Sequence, residues 1–167
     1  MTIHGGHPFA QPESERDQIR RLRGRLGGAV SLWLTGAGAG RAGLTVSSLM
    51  VAGGERGRVL GLIDPDSDLA DELAETQVAV IGLLEWPHRE LADAFAGVAP
   101  APGGLFAQAE FADTPWGPLP AGVTTWAGVR VEEVREVGWS QLITATVETI
   151  TIGEEIRPLE HRRGRYR

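Results

Sequence analysis

The chain has 167 residues, 42% of them hydrophobic and 23% charged, a balance that suits one domain able to bury a sizeable core. Its net charge of −6 argues against nonspecific binding of nucleic acid, which needs cationic charge facing phosphates. With no cysteine, disulfides, thiolate nucleophiles and Cys-ligated metals are excluded, in keeping with a reducing cytoplasm; all 16 basic residues are arginine, which excludes Schiff-base lysines and a P-loop lysine.

Residues 1–12 contain Gly5, Gly6, Pro8 and Pro12 and read as a flexible leader without the apolar core of a signal peptide. A helix is expected over Ser14 to Leu26, with Ser14 as N-cap and Ile19, Leu22 and Leu26 at helical spacing. Residues 29–35 read as a strand, 36–43 as a Gly-rich link, and Leu44 to Ala52 as a second strand. After a turn at Gly53 to Gly57, Val59 to Asp64 is apolar enough to be a strand buried on both faces. A short helix follows to about Thr76, capped by Asp66 or Ser67, with Leu69, Ala70 and Leu73 inward. Val78 to Leu84 reads as another buried strand, and Pro87 to Phe95 as a helix with Pro in its first turn and Gly97 past its end. The Pro- and Gly-rich stretch 98–122 is expected to be a long loop with one short strand. Thr124 to Val137 and Gln141 to Ile152 read as long antiparallel strands that reverse at Gly138-Trp139, before a basic tail from Pro158. No apolar run approaches the ~20 residues of a membrane span.

Strands outnumber helices and often follow one another directly. The expected fold is therefore mainly β, a closed or split antiparallel barrel with a few peripheral short helices, in a single domain over 13–167.

Two segments compete for the chemistry. Gly38-Ala39-Gly40-Arg41-Ala42-Gly43 matches the G-x-G-x-x-G pattern of dinucleotide-binding turns. The residues after it, Leu-Thr-Val-Ser-Ser-Leu-Met-Val, favour a strand over the helix that motif requires, so its glycines read as a hairpin link. Within Gly43 to Leu49, Thr45, Ser47 and Ser48 place three hydroxyls on a β-prone segment. Such hydroxyls suit the carbonyls and ring nitrogens of a planar polar ligand, or equally a neighbouring backbone. The histidines at 4, 7, 88 and 161 have no metal-ligand spacing. Trp33 reads as core, and Trp116 and Trp126 as core or a stacking surface.

In order along the chain, five features together resemble the flavin reductase-like family, the FMN-binding split barrels. They are the apolar strand ending at Thr35, Gly43-Leu-Thr-Val-Ser-Ser, Val59-Leu-Gly-Leu-Ile-Asp64, Leu91-Ala-Asp-Ala-Phe-Ala-Gly97 and Pro158-Leu-Glu-His-Arg-Arg-Gly-Arg-Tyr166. The resemblance implies a homodimeric six-stranded antiparallel barrel that binds FMN, or FAD, near the dimer interface. It implies hydride transfer from NADH or NADPH to the flavin, and a separate monooxygenase as partner of a two-component system. It implies that Thr45, Val46, Ser47 and Ser48 contact the isoalloxazine and ribityl chain, that Asp64 and Ser67 lie at the ribityl and phosphate end, and that Arg163, Gly164 and Tyr166 pack near the cofactor.

Three departures from the family pattern stand out. The phosphate turn reads Asp64-Pro65-Asp66-Ser67-Asp68, whose carboxylates repel a phosphate by roughly 1 kcal/mol or more each. The start of the following helix, an arginine, or the basic tail are the available offsets. The Asp-His of many members is absent at Gly138-Trp139-Ser140-Gln141, and the histidine expected just before Arg163 stands one residue early, at His161. In a strand that shift turns the side chain to the opposite face. The reading is thus an NAD(P)H-dependent flavin reductase; the alternatives are a noncatalytic flavin carrier that has lost nicotinamide use, and an oxidoreductase using a related cofactor.

Overall fold

The computed structural model describes residues 13–167, so the leader 1–12 and the side chain of the expected cap Ser14 lie outside the described residues. Helix α1 (Glu13–Leu26) is followed by β1 (Gly28–Ala29), β2 (Ser31–Thr35), β3 (Ala42–Val46), β4 (Leu49–Ala52) and β5 (Arg58–Ile63). Next come α2 (Asp68–Thr76), β6 (Val78–Leu83) and α3 (Arg89–Phe95). A small hairpin, β7 (Phe111–Thr114) and β8 (Gly117–Pro120), precedes the long strands β9 (Trp126–Val137) and β10 (Ser140–Thr151). The tail forms a second hairpin, β11 (Glu160–Arg162) and β12 (Arg165–Tyr166).

Seven strands make one sheet in the order β3-β2-β6-β9-β10-β5-β4, every pair antiparallel. The two edge strands, β3 and β4, are consecutive in the chain and joined only by Ser47 and Ser48. A link that short spans roughly 10 Å at full stretch, so the sheet has to curl until its edges meet. The expected single strand from Leu44 to Ala52 is in fact this pair, broken at the two serines. The curled sheet has seven strands where the resemblance implies six.

Two apolar layers hold the curl. The inner one surrounds Trp33, fully buried with Val46, Val59, Ile63, Leu69, Ile81, Val129 and Ile143. Its indole N–H donates to the Ser31 hydroxyl at 3.1 Å, and that hydroxyl donates to the Val46 carbonyl at 2.6 Å across the β2–β3 pair. Gly61 makes room for the ring: a Cβ there would lie 2.6 Å from Trp33 Cζ2. The outer layer packs Leu32, Leu34, Val80 and Leu84 against Leu91 and Phe95 of α3 and against Leu159. β2 and β6 are therefore covered on both faces, as expected for Val78 to Leu84.

β5 departs from its expectation. Val59, Gly61 and Ile63 face the core, but Leu62 is 38% exposed, because among the described residues no helix covers the outside of the curl at this strand. The loop 98–122 holds two strands where one was expected; the prolines at 118 and 120 obscure β8, which tolerates them because it pairs only with β7. Helix α1 forms as its periodicity predicts, yet Ile19, Leu22 and Leu26 are all exposed. Trp116 and Trp126 pack on each other, with ring centroids 6.3 Å apart, at the rim of the outer layer.

Replacing Gly61 by alanine is expected to lower the free energy of unfolding by about 1–3 kcal/mol, because the indole has to leave its position. Chemical denaturation of the two proteins checks this, and equal stability would show that Trp33 does not pack there.

Candidate functional site

The strand break at Ser47-Ser48 gathers the sequence-selected residues at one end of the curl. The Ser48 hydroxyl donates to the Leu62 carbonyl at 2.9 Å and accepts the Leu62 N–H at 3.0 Å. That pair of bonds fastens the break to the last turn of β5, two residues before Asp64. On the other side, a Cβ on Gly28 would lie 3.4 Å from the Ser47 carbonyl oxygen, and Gly28 pairs with His161 of β11. The tail hairpin is thus one strand away from Ser47.

The side chains differ in what they have left to offer. The Ser47 side chain is exposed and has no hydrogen bond within the described residues. Val46 is buried in the inner layer, and its carbonyl already accepts the Ser31 hydroxyl. The Thr45 hydroxyl points the other way and donates to the Ala92 carbonyl of α3 at 2.7 Å. The period-two alternation of a strand accounts for this: Leu44 and Val46 face the inner layer, and Gly43 and Thr45 face α3. Two of the three hydroxyls are therefore engaged in holding the site's frame.

The turn from β5 to α2 is closed on itself. Asp64 accepts the Asp66 N–H through its carboxylate at 2.9 Å, and its carbonyl accepts both the Ser67 N–H at 3.2 Å and the Ser67 hydroxyl at 2.6 Å. The same hydroxyl accepts the Ala70 N–H at 3.2 Å, making Ser67 the N-cap of α2, with Asp68 and Asp71 in the first turn where they complement the helix dipole. Among the described residues, no guanidinium pairs with these carboxylates.

In the tail, Arg163 and Gly164 take left-handed backbone conformations that reverse the chain between β11 and β12. The Arg163 N–H donates to the Gly24 carbonyl of α1 at 2.8 Å, docking the hairpin on the helix. Tyr166 is half-buried against the outer layer, with the His161 ring edge-on at 5.7 Å. Burial, and then the neighbouring Asp93 carboxylate, raise its phenol well above the usual range, so it stays protonated.

One cluster joins Glu85-Trp86-Pro87-His88, which the sequence offers as a cleft lining or a loop and helix cap, to Arg89 and the distant Arg157. The Arg89 and Arg157 guanidinium carbons lie 4.8 and 4.1 Å from the Trp86 ring centroid. Its sequence signal, Glu85-Trp86-Pro87-His88-Arg89, reads as a loop and helix start, and that is also what it forms: the Glu85 N–H donates to His88 Nδ1 at 3.2 Å. Residue types alone do not reveal that Arg157, far along the chain, completes it.

The fold and this site define the class: a mainly β protein built on a curled antiparallel sheet, with a few short helices and a potential binding site at the strand break. The model of the Flavin reductase like domain family matches residues 23–167, and the chain belongs to that family. It is 24% identical over 162 residues to the FMN reductase (NADH) RutF of Pantoea ananatis, covering 95% of this chain and 85% of the relative. Among solved structures it resembles the NADH:FAD oxidoreductase SgcE6 of Streptomyces globisporus, with a TM-score of 0.82 at 22% identity, covering 97% and 96% of the two chains. It also resembles the styrene monooxygenase flavin reductase of Pseudomonas putida, with a TM-score of 0.78 at 18% identity and coverage of 90% and 96%.

Ser48→Ala removes two bonds to the backbone and Thr45→Val one, and each is expected to cost about 1 kcal/mol of stability or more, whereas Ser47→Ala costs none. Thermal denaturation of the three variants checks this. A destabilised Ser47→Ala protein beside an unchanged Ser48→Ala protein would reverse the assignment.

Proposed function

We propose that this chain is an NADH-dependent flavin reductase that passes reduced flavin to a separate monooxygenase in the cytoplasm, and that it acts as a homodimer of single split-barrel domains spanning 13–167. Membership of the flavin reductase family over residues 23–167 carries this reading. The relatives named as reductases of FMN or FAD by NADH, and the reductase component of styrene monooxygenase, support its details. Bound flavin supplies the hydride acceptor, so the protein's task is placement and exclusion of water rather than proton transfer.

The residues fit the ring end of a flavin. Ser47 offers an uncommitted hydroxyl, and the break in pairing at Ser47-Ser48 leaves backbone groups to meet ring carbonyls and nitrogens. Thr45 and Ser48 fix the frame through Ala92 and Leu62. Tyr166, held protonated, closes the side toward the tail.

A carrier without nicotinamide use is the second reading. It is favoured by His161, which stands against Tyr166 in the tail hairpin, and by the absence of the Asp-His pair at the β9–β10 turn. Hydride transfer needs alignment more than acid–base help, so neither departure removes the reductase chemistry.

Support for a homodimer comes from the outside of the curl. Met50 is paired with Leu60, and Leu62 with Leu142, which places four apolar side chains in one patch on the outer face of β4, β5 and β10. Met50 and Leu62 are exposed there, and the apolar stripe of α1 is a further uncovered surface.

The purified protein is expected to quench the fluorescence of added FMN or FAD and to oxidise NADH when flavin is present. Flavin binding without NADH oxidation would establish the carrier, and the absence of flavin binding at micromolar concentration would remove both readings. Leu62→Glu with Leu142→Glu is expected to convert a dimer to a monomer in light scattering; an unchanged mass would place the interface elsewhere.

A further inference from the structure

The two sides of the Ser47-Ser48 break carry opposite charge. From Asp64 to Thr76, through the turn and α2, there are six acidic residues and no basic one. From Arg20 to Leu26 in α1 there are four arginines and no acid, and from His161 to Arg167 there are four more, again without an acid. The bond from Arg163 N–H to the Gly24 carbonyl joins these two basic segments into one surface. The pairing of β11 with β1 sets that surface one strand from Ser47.

Several donors on the acidic side are already engaged, and those left at the start of α2, the Asp68 and Leu69 N–H groups, stand among carboxylates. At a helix start a phosphate is held by backbone N–H groups. Here the Asp66 N–H is taken by the Asp64 carboxylate, the Ser67 N–H by the Asp64 carbonyl, and the Ala70 N–H by the Ser67 hydroxyl. The Asp64 carboxylate already fills the place of an anion in this turn. Its neighbours Asp66 and Asp68 add like charge, with no cation paired to them among the described residues.

Resting on the flavin reading above, we propose that the phosphate of the bound flavin is held on the tail side, by Arg162, Arg163 and Arg165, and not by the β5–α2 turn. Arg163 is the anchor of this set, because its backbone is fixed to α1 while its side chain is exposed. Among the described residues these three guanidiniums have no carboxylate partner, so they are available to an anion. Guanidinium recognises phosphate through two parallel N–H bonds and a full positive charge, and from Asp64 to Thr76 there is no basic residue to supply that charge. The flavin thus lies with its ring at the break and its charged end directed away from α2.

The test compares FMN, which carries the phosphate, with riboflavin, which lacks it, by titrating protein against flavin fluorescence in full-length variants. Arg162→Gln, Arg163→Gln and Arg165→Gln combined are expected to weaken FMN binding about tenfold or more, the scale of a lost charged hydrogen bond, and to leave riboflavin within about twofold. Asp64→Asn, Asp66→Asn and Asp68→Asn combined retain the acceptors of the turn and are expected to change FMN affinity by no more than about twofold. Tighter FMN binding by about tenfold in the asparagine variant, with no loss in the glutamine variant, would return the phosphate to the turn. Equal loss of both flavins in the glutamine variant would show a structural role for the tail and overturn the assignment. Failure of the unmodified protein to bind either flavin would instead overturn the flavin reading and the assignment with it.

Discussion

Everything in this molecule depends on two serines having to join strands at opposite edges of one sheet. Ser47 and Ser48 are too few to cross an open seven-stranded sheet, so the sheet curls. The curl encloses Trp33, and the Ser31 hydroxyl, bonded to both the Trp33 indole and the Val46 carbonyl, ties the core to the same junction. Ser48 then locks the junction to β5 through both backbone groups of Leu62. The residues that close the fold are also those proposed to face the flavin. The site therefore inherits the rigidity of the closure, which is what alignment of two planar rings requires.

Net charge conceals how the charge is arranged. A total of −6 describes an acidic protein, yet its arginines concentrate on α1 and the tail while its acids crowd the β5–α2 turn. Local bonding explains why the acids are tolerated. Asp64 satisfies the turn, Ser67 caps the helix, and Asp68 and Asp71 sit at the positive end of its dipole. Each has a structural reason to be there, and together they shape the field at the site.

Most strands of the large sheet were legible because alternation and apolar runs mark them, though not their order in the sheet, and the reversal at Gly138-Trp139 was clear from its glycine. The break at Ser47-Ser48 was not, since nothing in Leu-Thr-Val-Ser-Ser-Leu-Met-Val punctuates a strand; it arises from closure, a property of the whole sheet. One-sided burial of β5 escaped the same way, because an apolar run looks alike whether one face is covered or two. The tail was opaque for the opposite reason. Arginine-rich and poor in β-branched residues, it forms a hairpin only because β1 offers it an edge. In the site, the residue types were legible and the directions were not: Thr45 and Ser48 were recognisable as hydroxyls, while their engagement with Ala92 and Leu62 follows from the curl.

The two apolar layers cover the sheet unequally, and this sets a gradient of local stability. β2 and β6 lie between both layers, so their amides should exchange with solvent only on global unfolding. The far arm of β9 and β10, from Glu132 to Ser140, is exposed except at its last residue and held mainly by its own ladder. Its amides should exchange by opening from the tip at Gly138. The opening runs down to Leu142, whose neighbour across the sheet is Leu62, the residue gripped by Ser48. The Ser47-Ser48 break thus sits on the seam between the slowest-exchanging and fastest-exchanging parts, where a small fluctuation of the arm can widen it while the core stays closed.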